Sequence, residues 1–258
     1  LMATDGHKVT PAMVNNQIAA LTRAAATLET MQNVEKAGGK AEYLVCDVTD
    51  KQAVEKAVSQ VFNSEGRVDV LLHAAGMERS RKLESKPDEE FRQIFDIKVN
   101  GFFNLFKALE NQGVLPKAIV NFSSVAGRFG NTGQSDYSAA NDLLTRLPSA
   151  LRQQYPSIQV LTLDWGAWGE VGMASRGHIP ELMKRAGIAM MNPQEAAAFV
   201  AQELQAGSCG EVVLSGALGA LETQSDSQGG LDVEKANAAL TSGNPIHVML
   251  SRVSGVSL

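Results

Sequence analysis

Residues 68–75 read VDVLLHAA, an apolar run short enough for one strand and with almost no polar side to offer to water. A strand that is apolar on both faces has to be covered on both, which is the situation of a parallel strand flanked by helices. The same texture recurs at residues 42–47 (EYLVCD), 118–123, 158–164 and 211–214. Helical patterns alternate with these runs, at residues 51–64, 87–109, 136–154 and 193–205. A further helix is expected ahead of them, from Pro11 to Ala37. Thr10 can cap it, Pro11 suits its first position, and Val14, Ile18, Leu21, Ala25 and Leu28 recur at three- and four-residue spacing, which predicts one buried face. Five strands alternating with helices predict an α/β protein with a doubly wound parallel sheet.

Composition narrows the class further. A chain of 258 residues with 44% hydrophobic and 20% charged residues is long enough to bury a real core, and it is neither collagenous, disordered nor a coiled coil. The formal net charge of −5, with no basic cluster, argues against nucleic acid as the main partner. No apolar run approaches the ~20 residues of a membrane span. The two cysteines, Cys46 and Cys209, are too few for a disulfide framework or a thiolate metal site, so no metal is expected. They read as small buried hydrophobes in a reducing compartment, which with the missing leader pattern in residues 1–10 predicts a cytoplasmic protein. Beyond Gly216 the texture changes to a polar SDSQGG stretch and a weakly helical segment. The expected organisation is one domain over residues 1–219 and a linker over 220–258 leading towards a downstream module; a C-terminal arm that folds back for dimer contacts is the other reading of the tail.

Four residues suggest chemistry. Ser124 ends the strand that reads NFSS, where ligand-binding residues of open α/β sheets collect. Thirteen residues later Tyr137 opens a helix, and Asn141 follows it on the same face. Lys98 lies in the preceding long helix, beside a phenylalanine-rich side. Hydride delivered to a ketone leaves an alkoxide, which needs a proton donor within hydrogen-bond reach. Tyr137 can supply that proton if a nearby cation such as Lys98 lowers its pKa. Ser124 can bond the same carbonyl oxygen. Asn141 can orient Lys98 or hold a water for proton resupply. Taken singly, a serine after a strand is an ordinary cap and a tyrosine on a helix is ordinary packing; the spacing of all four favours reduction. His73 reads as a neutral, hydrogen-bonded imidazole.

The segments CDV (46–48), HAAG (73–76), KVNG (98–101), FSSVAG (122–127), YSAAN (137–141) and LDWGAW (163–168) resemble the short-chain dehydrogenase/reductase superfamily, over residues 10–219. More narrowly they are similar to ketoreductase domains of multidomain polyketide and polyunsaturated-fatty-acid synthases. In those domains the lysine lies on the earlier helix and the asparagine follows the tyrosine by four residues, as Lys98 and Asn141 do here. The resemblance implies a Rossmann-like fold and NADPH-dependent reduction of a β-ketoacyl thioester on an acyl carrier protein, among neighbouring synthase domains. It implies Tyr137, Ser124, Lys98 and Asn141 as catalytic residues. It also implies cofactor contacts at Asp47, Val48, Ala74, Ala75, Gly76, Trp165 and Gly166, and a mobile lid over the acyl chain across residues 169–185, with Trp168 and Met173 as its substrate-facing residues. Packing is the other reading of Trp168 and Met173, and a helix cap that of Asp47. Neither sequence pattern associated with alcohol configuration is intact, since MERS (77–80) and Phe129 stand at those positions.

One element is missing. A dinucleotide needs a Gly-rich turn between a strand and a helix to cradle its pyrophosphate, and none is found. By resemblance, that loop and the first two strands should lie upstream of Leu1, with the basic residue that selects NADPH over NADH. The expectation is an N-terminally incomplete domain that binds dinucleotide poorly by itself and is inactive alone, although its parent is an NADP-dependent ketoreductase. A free-standing alcohol or sugar dehydrogenase and a non-catalytic scaffold are the competing readings.

Overall fold

The computed structural model describes residues 10–175 and 177–218. The chain divides after Val45 into two compact units. The first contains α1 (Pro11–Lys36), which starts as its sequence directs: the Thr10 side chain accepts from the Met13 amide and Pro11 takes the first helical position. The expected buried face is not formed, because Ile18, Leu21 and Leu28 are all exposed. Alanine-rich sequence makes this helix by propensity, and three-to-four spacing alone recruits no partner.

The second unit is built on a parallel sheet of β1 (Val70–His73), β2 (Ala118–Ser124), β3 (Gln159–Trp165) and β4 (Gly210–Leu214), in the order β1-β2-β3-β4. The helices around it are α2 (Lys51–Glu65), α3 (Asp88–Asn111), α4 (Val125–Phe129), α5 (Ser135–Gln154), α6 (Ile179–Arg185) and α7 (Pro193–Gln205), with a 3-10 turn at Leu83–Ser85. Alternate residues of each strand serve opposite faces. Ile119 and Val160 pack with Phe102 and Phe106 of α3 and Leu144 of α5. Their neighbours Val120, Leu161 and Leu163 pack on the other side with Ala196 and Phe199 of α7. Helices therefore cover both faces, as a doubly wound α/β fold requires.

The fifth expected strand is absent. Residues 42–47 form no ladder, and Val45 is 88% exposed. A strand is held by inter-strand hydrogen bonds, which an apolar run cannot supply by itself. The free side of β1 shows the same lack: Leu71 packs towards α2 and α3, but Val70 and Leu72 are 43% and 52% exposed. The cysteines also depart from expectation. Cys46 is half-buried and Cys209 is exposed, because Cys209 falls in the turn ahead of β4 rather than within the strand. The expected linker, 220–258, lies outside the described residues.

Parallel pairing decides what reaches the carboxyl edge of the sheet. His73 is in register with Asn121, and Ser124 with Trp165. The segments that leave β1, β2 and β3, beginning at Ala74, Val125 and Gly166, therefore emerge side by side.

Candidate active site

Tyr137 stands in the first turn of α5, buried in a cluster with Ile94, Ala126 and the half-buried Met77 and Met173. Ser124 ends β2 and caps α4, its hydroxyl accepting from the Ala126 amide at 3.2 Å. Lys98 comes from the middle of α3, is buried, and places its ammonium 5.8 Å from the centre of the Tyr137 ring. Asn141, one turn along α5, donates to the Tyr137 carbonyl at 2.7 Å. The four residues picked from sequence thus come from three elements to one place.

Their electrostatics differ from expectation in one respect. Burial pushes the Tyr137 phenol up, against hydrogen bonding from Ser124 and Asn141, which pulls it down. Lys98 does not outweigh that burial, because its ammonium donates to the Phe122 carbonyl at 2.6 Å rather than standing on the phenol oxygen. Burial also lowers Lys98 itself to about 8, with the nearby Asp164 charge acting in the opposite sense. At pH 7 the phenol keeps its proton and the amine is mostly an ammonium. Asn141 makes no hydrogen bond to Lys98, and its Oδ1 is buried without a partner. A buried unpaired acceptor is costly and invites a water or ligand group.

Gly76 is the reason Lys98 can lie where it does. A Cβ at Gly76 would sit 2.8 Å from Lys98 Cε, so any side chain there would displace the amine. Gly166 is required by packing of the same kind, since a Cβ would lie 2.3 Å from Ser215 Oγ. Trp165 and Trp168 meet edge to face at 5.0 Å and belong to the α7-side core, which favours packing for Trp168. Met173, by contrast, packs beside Tyr137.

His73 Nε2 lies 2.8 Å from the Lys98 carbonyl, and burial lowers its pKa to about 4, so it is neutral; its Nδ1 has no partner. Asp47 is not the helix cap. That role belongs to Asp50, which accepts from the Gln52 and Ala53 amides. Asp47 instead accepts from the Thr49 amide and hydroxyl, which hold its carboxyl below its ordinary pKa. Val48 fills the space that the missing side chain of Gly101 leaves on α3, and its carbonyl accepts from Asn104 at 2.9 Å. Ala74 and Ala75 follow directly on β1.

Two features were not anticipated from sequence. Asp164 on β3 is fully buried, accepts from Thr145 at 3.1 Å, and is pushed up to about 8 by burial and by the neighbouring Glu211. An aspartate inside the apolar run VLTLDW was the available signal. Lys86 and Asp136 form a buried ion pair at 2.6 Å directly before Tyr137, and no spacing rule joins residues so far apart. Among the described residues no cluster of three or more His, Cys, Asp or Glu could hold a metal ion, and no helix is long and apolar enough to cross a membrane.

The chemistry of this donor set fits the reducing end of a nicotinamide cofactor: a protonated phenol, an adjacent hydroxyl, a buried ammonium and an orphaned amide oxygen beside three strand ends. The pyrophosphate end has no fitting element among the described residues. The segment that leads into α2 carries the carboxylates of Asp47 and Asp50 rather than glycines.

Comparison with known proteins follows the same line. The KR domain family matches residues 6–170. One component of the polyunsaturated fatty acid synthase of Thraustochytrium sp. is 34% identical over 184 residues, 71% of this chain and 6% of that protein. A type I polyketide synthase of phenolphthiocerol synthesis from Mycobacterium marinum is 31% identical over 177 residues, 67% of this chain and 8% of that protein. The chain therefore spans less than a tenth of either relative. Among solved structures, the ketoreductase from the first module of phoslactomycin biosynthesis in Streptomyces sp. HK803 aligns with a TM-score of 0.64 at 27% identity, covering 73% of this chain and 43% of that one. A short-chain dehydrogenase from Streptomyces avermitilis aligns with a TM-score of 0.59 at 26% identity, covering 72% and 75%. With a family match across more than half its length and this fold, the chain belongs to the KR domain family, within the short-chain dehydrogenase/reductase fold.

Proposed function

We propose that this sequence is the reducing part of a ketoreductase within a polyketide or polyunsaturated-fatty-acid synthase. Its substrate is a β-ketoacyl thioester carried on an acyl carrier protein, its cofactor is NADPH, and its setting is the cytoplasm. The observation that carries the reading is the convergence of Tyr137, Ser124, Lys98 and Asn141 at the carboxyl edge of the sheet, with the phenol protonated.

When bound, the nicotinamide supplies the hydride to the ketone carbon. Tyr137 gives its proton to the carbonyl oxygen as that oxygen becomes an alkoxide; a phenol held above its ordinary pKa is in the protonated form for this step. Ser124 donates to the same oxygen and fixes its position; accepting from the Ala126 amide leaves its O–H free to do so. Lys98 contributes positive charge where negative charge develops, in a buried setting that water screens little. Asn141 Oδ1, unpaired in the closed interior, accepts from a water that returns the proton to Tyr137. Met173 and Met77 border the acyl group. In the same reading Trp165 and Gly166 would line the nicotinamide, the backbone of residues 74–76 would pass the adenosine ribose, and Asp47 and Val48 would hold the adenine end.

The 258-residue chain alone binds dinucleotide weakly, since its described residues contain no pyrophosphate cradle. A fluorescence titration with NADPH is therefore expected to show no tight, stoichiometric site. In a synthase polypeptide that supplies the cradle ahead of this sequence, Tyr137→Phe is expected to lower turnover of a β-ketoacyl thioester by ~100-fold or more, with little change in melting temperature. Undiminished turnover in that variant removes Tyr137 as the proton donor and the reading with it.

A further inference from the structure

The segment that leaves β1 through Gly76 reaches the 3-10 turn at Leu83–Ser85 and ends at Lys86. The Lys86 ammonium donates to both carboxylate oxygens of Asp136 at 2.6 Å and to the Arg79 carbonyl at 3.0 Å, and the two side chains are 1% and 0% exposed. Asp136 Oδ1 also accepts from the Tyr137 amide at 2.9 Å. That amide lies in the first helical turn, where N–H groups have no partner within the helix, and Gln134 ahead of α5 makes no capping bond with its side chain. One carboxylate thus binds the residue that carries the phenol and, through Lys86, the loop facing it.

Further bonds lace the same two segments. The Arg81 amide donates to the Gly133 carbonyl at 2.8 Å, and Gln134 Nε2 donates to Ser80 Oγ at 3.3 Å. Ser80 in turn donates to Glu78 at 2.5 Å. The laced loop carries Met77, which packs on the Tyr137 cluster, and Glu78, whose charge acts on the phenol. A fully buried ion pair is a poor source of stability, because desolvating both charges offsets most of their attraction, and apolar replacements of similar size are often as stable or more so. What the pair does supply is a fixed position for the loop against the start of α5.

We propose that Lys86 and Asp136 are positioning residues for the reduction, holding the Tyr137 phenol in register with the 77–81 wall against which the ketone is reduced. Neither touches a reacting atom. The proposal rests on the ketoreductase reading above, and its test separates the two. A misplacement of about 1 Å in an active site can cost ~100-fold in rate.

The test replaces the pair with apolar residues of similar length, Lys86→Met with Asp136→Leu, in the synthase polypeptide. The expected result is a melting temperature close to that of the unmodified protein, kcat lowered at least ~10-fold, and KM within about threefold. Hydrogen exchange on the 258-residue chain, which needs no cofactor, is expected to speed up at the amides of 78–81 and 135–138 while β2 and β3 keep their protection. Lys86→Arg, which preserves the charge pair, is expected to retain most of kcat. Should the double variant fail to fold, Asp136→Asn gives the second reading: it keeps an acceptor for the Tyr137 amide, removes the charge, and is expected to show the same fall in kcat at constant KM. Unchanged kcat with unchanged exchange in a folded pair variant overturns the positioning role. If Tyr137→Phe abolishes turnover while the pair variants do not, only the positioning proposal falls; if Tyr137→Phe retains turnover, the ketoreductase reading falls first.

Discussion

Asp164 and His73 are both buried beside Lys98, yet they pull stability in opposite directions with pH. Asp164 has its folded pKa raised to about 8, so the folded state holds that proton more tightly than the unfolded chain does. Its stabilising contribution is complete below the unfolded value of ~4 and is lost as pH rises towards about 8. His73 is lowered to about 4 by burial, so folding disfavours its proton and stability is lost as pH falls from ~6.5 to about 4. Between about pH 6.5 and 8 only the Asp164 contribution of these two is changing. The urea midpoint is accordingly expected to drop across that interval in the unmodified chain and to drop less in Asp164→Asn. Equal drops would mean that Asp164 is already ionised in the folded state. Ser124, Tyr137 and Asn141 could be read from sequence because strand-to-helix geometry sets their spacing, and Lys98 joined them through the resemblance of KVNG (98–101) to the family pattern. Asp164 and Lys86 could not, since burial and a partner fifty residues away leave no local pattern.

Among the elements, β1 shows how pairing and patterning divide the work. Its apolar sequence marked it as a strand buried on both sides, and β2 holds it on one edge, but Val70 and Leu72 reach solvent on the face that no described helix covers. Leu72→Lys is therefore expected to change stability by no more than ~0.5 kcal/mol and to reduce aggregation in light scattering. Leu161→Ala, at the fully buried centre of β3, is expected to cost ~2–5 kcal/mol in urea unfolding. Equal costs would show that the β1 face is covered in solution. Residues 42–47 carry the same lesson further: an apolar pattern becomes a strand only when a neighbour accepts its hydrogen bonds. The helices were more legible, because their bonds are internal. α2 and α7 begin where Asp50 and Asn192 cap them, and α7 matches its expected span.

For the molecule as a whole, stability is unevenly distributed. The sheet unit buries Ile119, Val120, Leu161 and Leu163 completely, whereas α1 in the other unit leaves Met13, Ile18, Leu21 and Leu28 exposed. Amide exchange is expected to be fast along α1 and slow in β2 and β3, by several orders of magnitude. Comparable protection in both would mean that α1 is packed in solution.

The alternation of strand and helix and the Thr10 cap of α1 followed from sequence alone, because each depends on periodicity or spacing within reach of the backbone, whereas the four candidate residues were chosen from their spacing together with a family resemblance. Three things were decided only in three dimensions. Burial, not Lys98, governs the Tyr137 pKa. Residues 42–47 form no strand despite their apolar pattern. The Lys86–Asp136 pair couples two segments that sequence keeps fifty residues apart. Each depends on which groups share a low-dielectric interior or a hydrogen-bonding edge, and only the folded chain brings those together.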